Sequence, residues 1–216
     1  ATEHGGATLN YLTVEPDDYR PELQYPLVVL LHGFGSHMSD LASLAPAINR
    51  TGYVYAFPNA PIRMEMGFGT EGYAWTSLSE KDRGPLAAQA EEKLSVFFEE
   101  VFSLFSIDPG RVVLGGFSQG GMMTYQIGLG SPHIFSGLAI LSSTLREKDQ
   151  VTRQMGEGPK QSIFISHGTR DTMIAVEDGR RACRLLTAQG YTPEYREYEM
   201  GHEVSADVLA DLREWL

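Results

Sequence analysis

The sequence predicts an α/β fold: a mostly parallel central sheet with helices on both faces. Three observations point there. Short apolar runs alternate along the chain with stretches of helical periodicity. The run Pro26-Leu27-Val28-Val29-Leu30-Leu31 is apolar without alternation, as suits a strand buried on both faces. A second run, Val112 to Gly121, ends in glycines, presents a single serine and passes into Met122 to Ile127, which reads as a helix.

In chain order, residues 1–7 have no pattern and are expected to be a flexible extension. Residues 8–14 form an opening strand, and Glu15-Pro16-Asp17-Asp18 turns into the Pro26–Leu31 strand. His32-Gly33-Phe34-Gly35 ends that strand. A helix from Ser39 puts Leu41, Leu44, Ala45 and Ile48 on one face, with a kink or early stop expected at Pro46. Tyr53 to Phe57 is the next strand, closed by Pro58-Asn59-Ala60-Pro61. Residues 62–85, rich in Gly, Met and aromatics, read as a long functional loop. From Gln89 to Phe105, apolar residues recur at helical spacing. Asp108-Pro109-Gly110 turns into the central strand. Residues 135–141 and 161–166 are further strands, then come a helix from Val176 to Gln189 stopped at Gly190, a strand from Thr192 to Tyr198 and a helix from Val204. No linker interrupts the 216 residues, so a single domain, 1–216, is expected.

The net charge of −11 argues against nucleic acid and anionic lipid as partners. No apolar run approaches the ~20 residues of a membrane span, and stable membrane insertion is not expected. With one cysteine, Cys183, no internal disulfide can form. Its neighbours Ala182, Leu185 and Leu186 suggest a packed thiol. The absence of a secretion signal in the chain shown gives a cytoplasmic expectation.

Candidate chemistry starts at Gly116-x-Ser118-x-Gly120, the pattern of a nucleophile elbow, in which glycines permit a strained strand-to-helix turn. Serine needs a base, and that base needs an orienting acid. Reactive groups of an open α/β sheet gather at the carboxyl ends of its strands. That filter selects His202 after the last strand and Asp171 after the strand before it, in the order serine, acid, histidine. Asp149 is the alternative acid. His32 and His167, beside glycines at strand ends, read as structural hydrogen-bonders, and His4 as part of a frayed terminus. Oxyanion donors are expected at the backbone N–H groups of Gln119 and Phe34. Trp75, Met66 and Phe68 are the candidate substrate-binding side chains, although they serve equally well as core. Gly67 to Gly72 matches the letters G-x-G-x-x-G but lacks the strand and helix a dinucleotide site needs. Clustered His/Cys ligands are absent too, so neither a cofactor nor a metal is expected.

Taken together, Leu30 to Gly35, Pro58 to Pro61, Ala74-Trp75, Gly115 to Gly121, His167-Gly168-x-x-Asp171 and Gly201-His202 make the chain resemble the phospholipase/carboxylesterase family, which includes the acyl-protein thioesterases. The resemblance implies an α/β-hydrolase fold with little or no cap and action on esters or thioesters. It implies the same triad and oxyanion donors. Where many relatives follow the tryptophan with an aromatic and an aspartate, this chain has Thr76-Ser77-Leu78. About twenty residues separate the strands ending at Leu141 and beginning at Ser162, too few for a helical lid. The expected substrate is therefore a small-molecule ester of small to medium acyl chain. A homodimer is compatible with the sequence. Thioesterase or lysophospholipase action, and a non-catalytic ligand-binding protein, are the alternatives.

Overall fold

The computed structural model describes residues 1–146, 155 and 158–216. Its described strands are β1 (Thr2–Gly5), β2 (Asn10–Val14), β3 (Tyr25–Leu31), β4 (Val54–Pro58), β5 (Ile62–Glu65), β6 (Glu71–Ala74), β7 (Ile107–Phe117), β8 (Gly137–Leu141), β9 (Ser162–Gly168) and β10 (Glu194–Tyr198). The described helices are α1 (Met38–Ala42), α2 (Ala45–Ile48), α3 (Glu80–Leu104), α4 (Gln119–Gly128), α5 (Val176–Ala188) and α6 (Ala206–Trp215). Eight strands form one sheet in the order β1-β2-β4-β3-β7-β8-β9-β10. It is parallel from β4 to β10 and antiparallel at the β1–β2–β4 edge. This is an α/β-hydrolase architecture.

The unalternated β3 run works as its composition requires. Leu27, Val29 and Leu31 pack into one core with α3, α4 and α5, while Val28 and Leu30 pack into a second core with α1, α2 and α6. A strand sandwiched this way has no face left for a polar side chain.

Four local expectations change. The first residues do not fray: β1 pairs with β2, and His4 Nε2 lies 2.8 Å from Thr13 Oγ1. The supposed loop 62–85 holds the β5–β6 hairpin, turned by Gly67, Phe68 and Gly69, all with positive φ. The third helix begins at Glu80, nine residues early, and runs through Pro85. One backbone bond is forfeited there, near the N-terminus, while the buried stripe Ala87, Ala90, Leu94, Phe97, Phe98 and Val101 holds the rest. Asp108-Pro109-Gly110 lies within β7 as a bulge, because Tyr25 pairs with Ile107 but Leu27 already pairs with Val112. Pro46 does end α1 early, and α2 restarts around it.

Candidate active site

The elbow forms where β7 meets α4. Ser118 has φ 55° and ψ −114°, a region L-residues rarely occupy, so the surroundings must hold it there. They do so by contact. A Cβ at Gly116 would strike the Gly120 backbone, and one at Gly120 the Leu31 carbonyl. Ser118 N–H donates to Leu141 O at 2.9 Å, and Ser143 Oγ donates to Ser118 O at 2.7 Å. The strand-to-helix junction thus lifts one hydroxyl above the sheet.

Asp171 and His202 come to that hydroxyl from the ends of β9 and β10. His202 Nε2 lies 3.0 Å from Ser118 Oγ, and its Nδ1 lies 2.7 Å from Asp171 Oδ2. An acidic partner at Nδ1 fixes the proton there and leaves Nε2 as acceptor for the serine. The Asp171 carboxylate is closed to solvent, and its other oxygen accepts the N–H groups of Met173 and Ile174, each at 2.9 Å. Burial alone would push this carboxyl up, but the bonds from Ile174, His202 and Met173 outweigh it and hold it below its ordinary value. Sequence reasoning passed over Ser142 and Ser143, which follow β8 at the same edge. Ser142 donates to Glu203 O at 3.2 Å beside His202, and Ser143 braces the elbow. The filter of strand carboxyl ends would have found both. Asp149 lies outside the described residues.

Phe34 and Gln119 flank the serine. An added Cβ at Gly33 would lie 3.5 Å from Ser118 Cβ, which places the Phe34 loop against the nucleophile. Gln119 opens α4, so its N–H has no carbonyl one turn back. Neither this N–H nor that of Phe34 donates to a described residue. Two such N–H groups beside a serine can receive a developing oxyanion.

The candidate substrate side chains separate. Trp75 is fully buried and donates Nε1–H to His32 O at 2.9 Å, so it is a strut beneath the site and not a wall of it. Phe68 projects wholly into solvent at the hairpin tip. Met66 remains, half-exposed and against Gly35 on the Phe34 loop. An unforeseen groove of about 610 Å³ opens beside the elbow. Thr76, Met122, Met123, Thr144 and Leu145 are among its lining residues, and Met122 N–H bonds Ser118 O. Against expectation a strand, β5, does lead into the Gly67–Gly72 segment, but the segment turns straight into β6 and no helix follows it. Among the described residues, no three His, Cys, Asp or Glu side chains gather as metal ligands. No described helix is long and apolar enough to cross a membrane.

A mostly parallel sheet with a serine elbow at its carboxyl edge is the arrangement of the α/β-hydrolase class, and comparison narrows it. Residues 15–216 match the phospholipase/carboxylesterase family, and the chain belongs to that family. It is 27% identical over 211 residues to an Arabidopsis thaliana protein named "Probable carboxylesterase SOBER1-like", covering 91% of this chain and 80% of that one. It is 27% identical over 210 residues to acyl-protein thioesterase 1 of Emericella nidulans, covering 88% of each. Among solved structures, esterase PE8 superposes with a TM-score of 0.82 at 26% identity, over 97% of this chain and all of the other.

Proposed function

We propose that the protein is a serine carboxylesterase hydrolysing esters of small to medium acyl chain through an acyl-serine intermediate. The observation that carries this reading is the continuous hydrogen-bonded line Ser118–His202–Asp171 beside two unengaged backbone N–H groups. In the first step His202 Nε2 takes the hydroxyl proton as Ser118 Oγ bonds to the ester carbonyl carbon. The carbonyl electron pair moves onto its oxygen, facing Phe34 and Gln119. Collapse expels the alkoxide, which takes the proton from His202. Water then repeats the sequence on the acyl-serine, releases the acid and restores Ser118. Asp171 holds the imidazole tautomer and offsets the imidazolium charge.

The test is hydrolysis of p-nitrophenyl butyrate. Ser118→Ala is expected to lower kcat on the order of 10⁶-fold, and a fluorophosphonate should label the wild type once per chain. Activity of the variant within tenfold of wild type rules the serine out. An unlabelled, inactive wild type would instead favour a ligand-binding protein on this scaffold.

The match to an acyl-protein thioesterase over most of both chains favours a second reading, action on acyl thioesters. Comparing kcat/KM for butyryl thiocholine and butyryl choline separates the two, since the leaving atom alone differs.

A further inference from the structure

His32 belongs to none of the chemical steps above, yet it is 1% exposed and fully hydrogen-bonded at the end of β3. Its two ring nitrogens do different things. Nε2 lies 3.0 Å from the backbone N of Ala60, which can only donate, so Nε2 must be the acceptor. Nδ1 therefore carries the proton and donates to Gly33 O at 2.8 Å. The neutral ring this requires agrees with burial pushing His32 down to about 4.

The carbonyl that receives this bond is half of the Gly33–Phe34 peptide, whose other half is the Phe34 N–H. A trans peptide is planar, with its N–H opposite its C=O, so anchoring the oxygen aims the hydrogen. An amide whose carbonyl accepts a hydrogen bond also becomes a stronger donor. Ser36 N–H adds a second bond to the same oxygen at 3.2 Å. Trp75 Nε1–H holds the preceding carbonyl, that of His32, at 2.9 Å.

We propose that His32 is a positioning residue for oxyanion stabilisation: locked by Ala60 as the Nδ1–H tautomer, it aims and polarises the Phe34 N–H through the peptide they share. This rests on the esterase reading and deepens it. Since charge develops on the carbonyl oxygen in the transition state and not in the bound ester, the effect belongs in kcat and in binding of oxyanion mimics, not in KM.

The experiment uses three variants of the full chain, with rates normalised to titrated active sites. Asn at position 32 can still donate to Gly33 O but cannot reach Ala60. Gln can reach Ala60 but places no donor at Gly33, and Leu does neither. Each is assayed with p-nitrophenyl butyrate and with 1,1,1-trifluoro-2-pentanone, which forms a hemiketal oxyanion on Ser118. Removing an oxyanion donor outright costs about 10²–10³ in rate, so misaiming one should cost roughly 10–100-fold in His32→Gln and His32→Leu, with His32→Asn within about fivefold of wild type. Ketone affinity should fall in step with kcat, while KM and the acid limb of the pH profile stay in place. Wild-type kcat and ketone affinity in His32→Gln or His32→Leu would overturn the proposal. So would a His32→Asn as impaired as His32→Leu, because that pattern reads only fold integrity. If the wild type neither turns over the ester nor binds the ketone, the esterase reading fails first and takes this inference with it.

Discussion

Trp75 shows how much a residue's role depends on where its polar atom points. Its place in the expected loop 62–85 suggests a wall for substrate, but the indole lies fully inside and its N–H satisfies the His32 carbonyl. Trp75→Phe keeps most of the apolar volume and orphans that buried oxygen. It should lower stability by about 1–3 kcal/mol, read from urea denaturation, while KM for p-nitrophenyl butyrate stays near wild type. A large rise in KM would return the side chain to the substrate pocket. Gln119 is similarly double. Its side-chain Oε1 accepts Trp75 N–H at 2.7 Å and its Nε2 donates to Thr76 O at 3.1 Å, so the residue that offers a backbone donor also ties the elbow to the end of β6.

Among the elements, the elbow depends on contact between strand and helix backbones. Gly120 sits where α4 crosses the end of β3, and any side chain there meets the Leu31 carbonyl. Gly120→Ala must therefore push α4 away from the sheet. The expected loss is roughly 1–3 kcal/mol or more, together with a fall in fluorophosphonate labelling rate because Ser118 moves with its helix. Normal labelling in a destabilised variant would show that the turn tolerates the shift. The β5–β6 hairpin is held to the loop after β3 by Gly35 N–H to Tyr73 O at 2.8 Å and Tyr73 N–H to Ser36 O at 2.7 Å. A strand pair far from the main sheet in topology thereby supports the loop that carries Phe34.

For the whole molecule, pH separates the groups whose titration folding shifts. His32 has its folded value lowered from 6.5 to about 4, so the unfolded chain binds this proton first. Its contribution is complete above about 6.5, erodes as pH falls, and levels off below about 4, a loss of about 3 kcal/mol in all. The lowered carboxylates Asp171, Glu177, Glu197 and Asp211 act later, since their contributions are present above their unfolded values and vanish only as pH drops through the folded ones. Thermal melts should accordingly show Tm declining in two stages on acidification, with the first stage missing in His32→Asn. A variant that keeps the first stage would assign it to another group.

The sequence alone determined what local chemistry can encode. Apolar runs marked the inner sheet strands β3, β4, β7, β8 and β9, helical spacing marked the long helices, and the glycines around Ser118 marked the elbow, because each signal lies within a few consecutive residues. Strand order also selected Asp171 and His202, since the carboxyl ends of a parallel sheet share one edge. The hairpin at 62–74 and the early start of α3 were illegible because a Gly-rich turn and an internal proline carry the same letters in a loop. Only the tertiary structure decided which aromatic faces solvent, that His32 receives a proton donor from Ala60 twenty-eight residues away, and that its own proton lands on the peptide beside Ser118. Hydrogen-bond direction depends on which backbone groups meet in space, and no spacing along the chain specifies that.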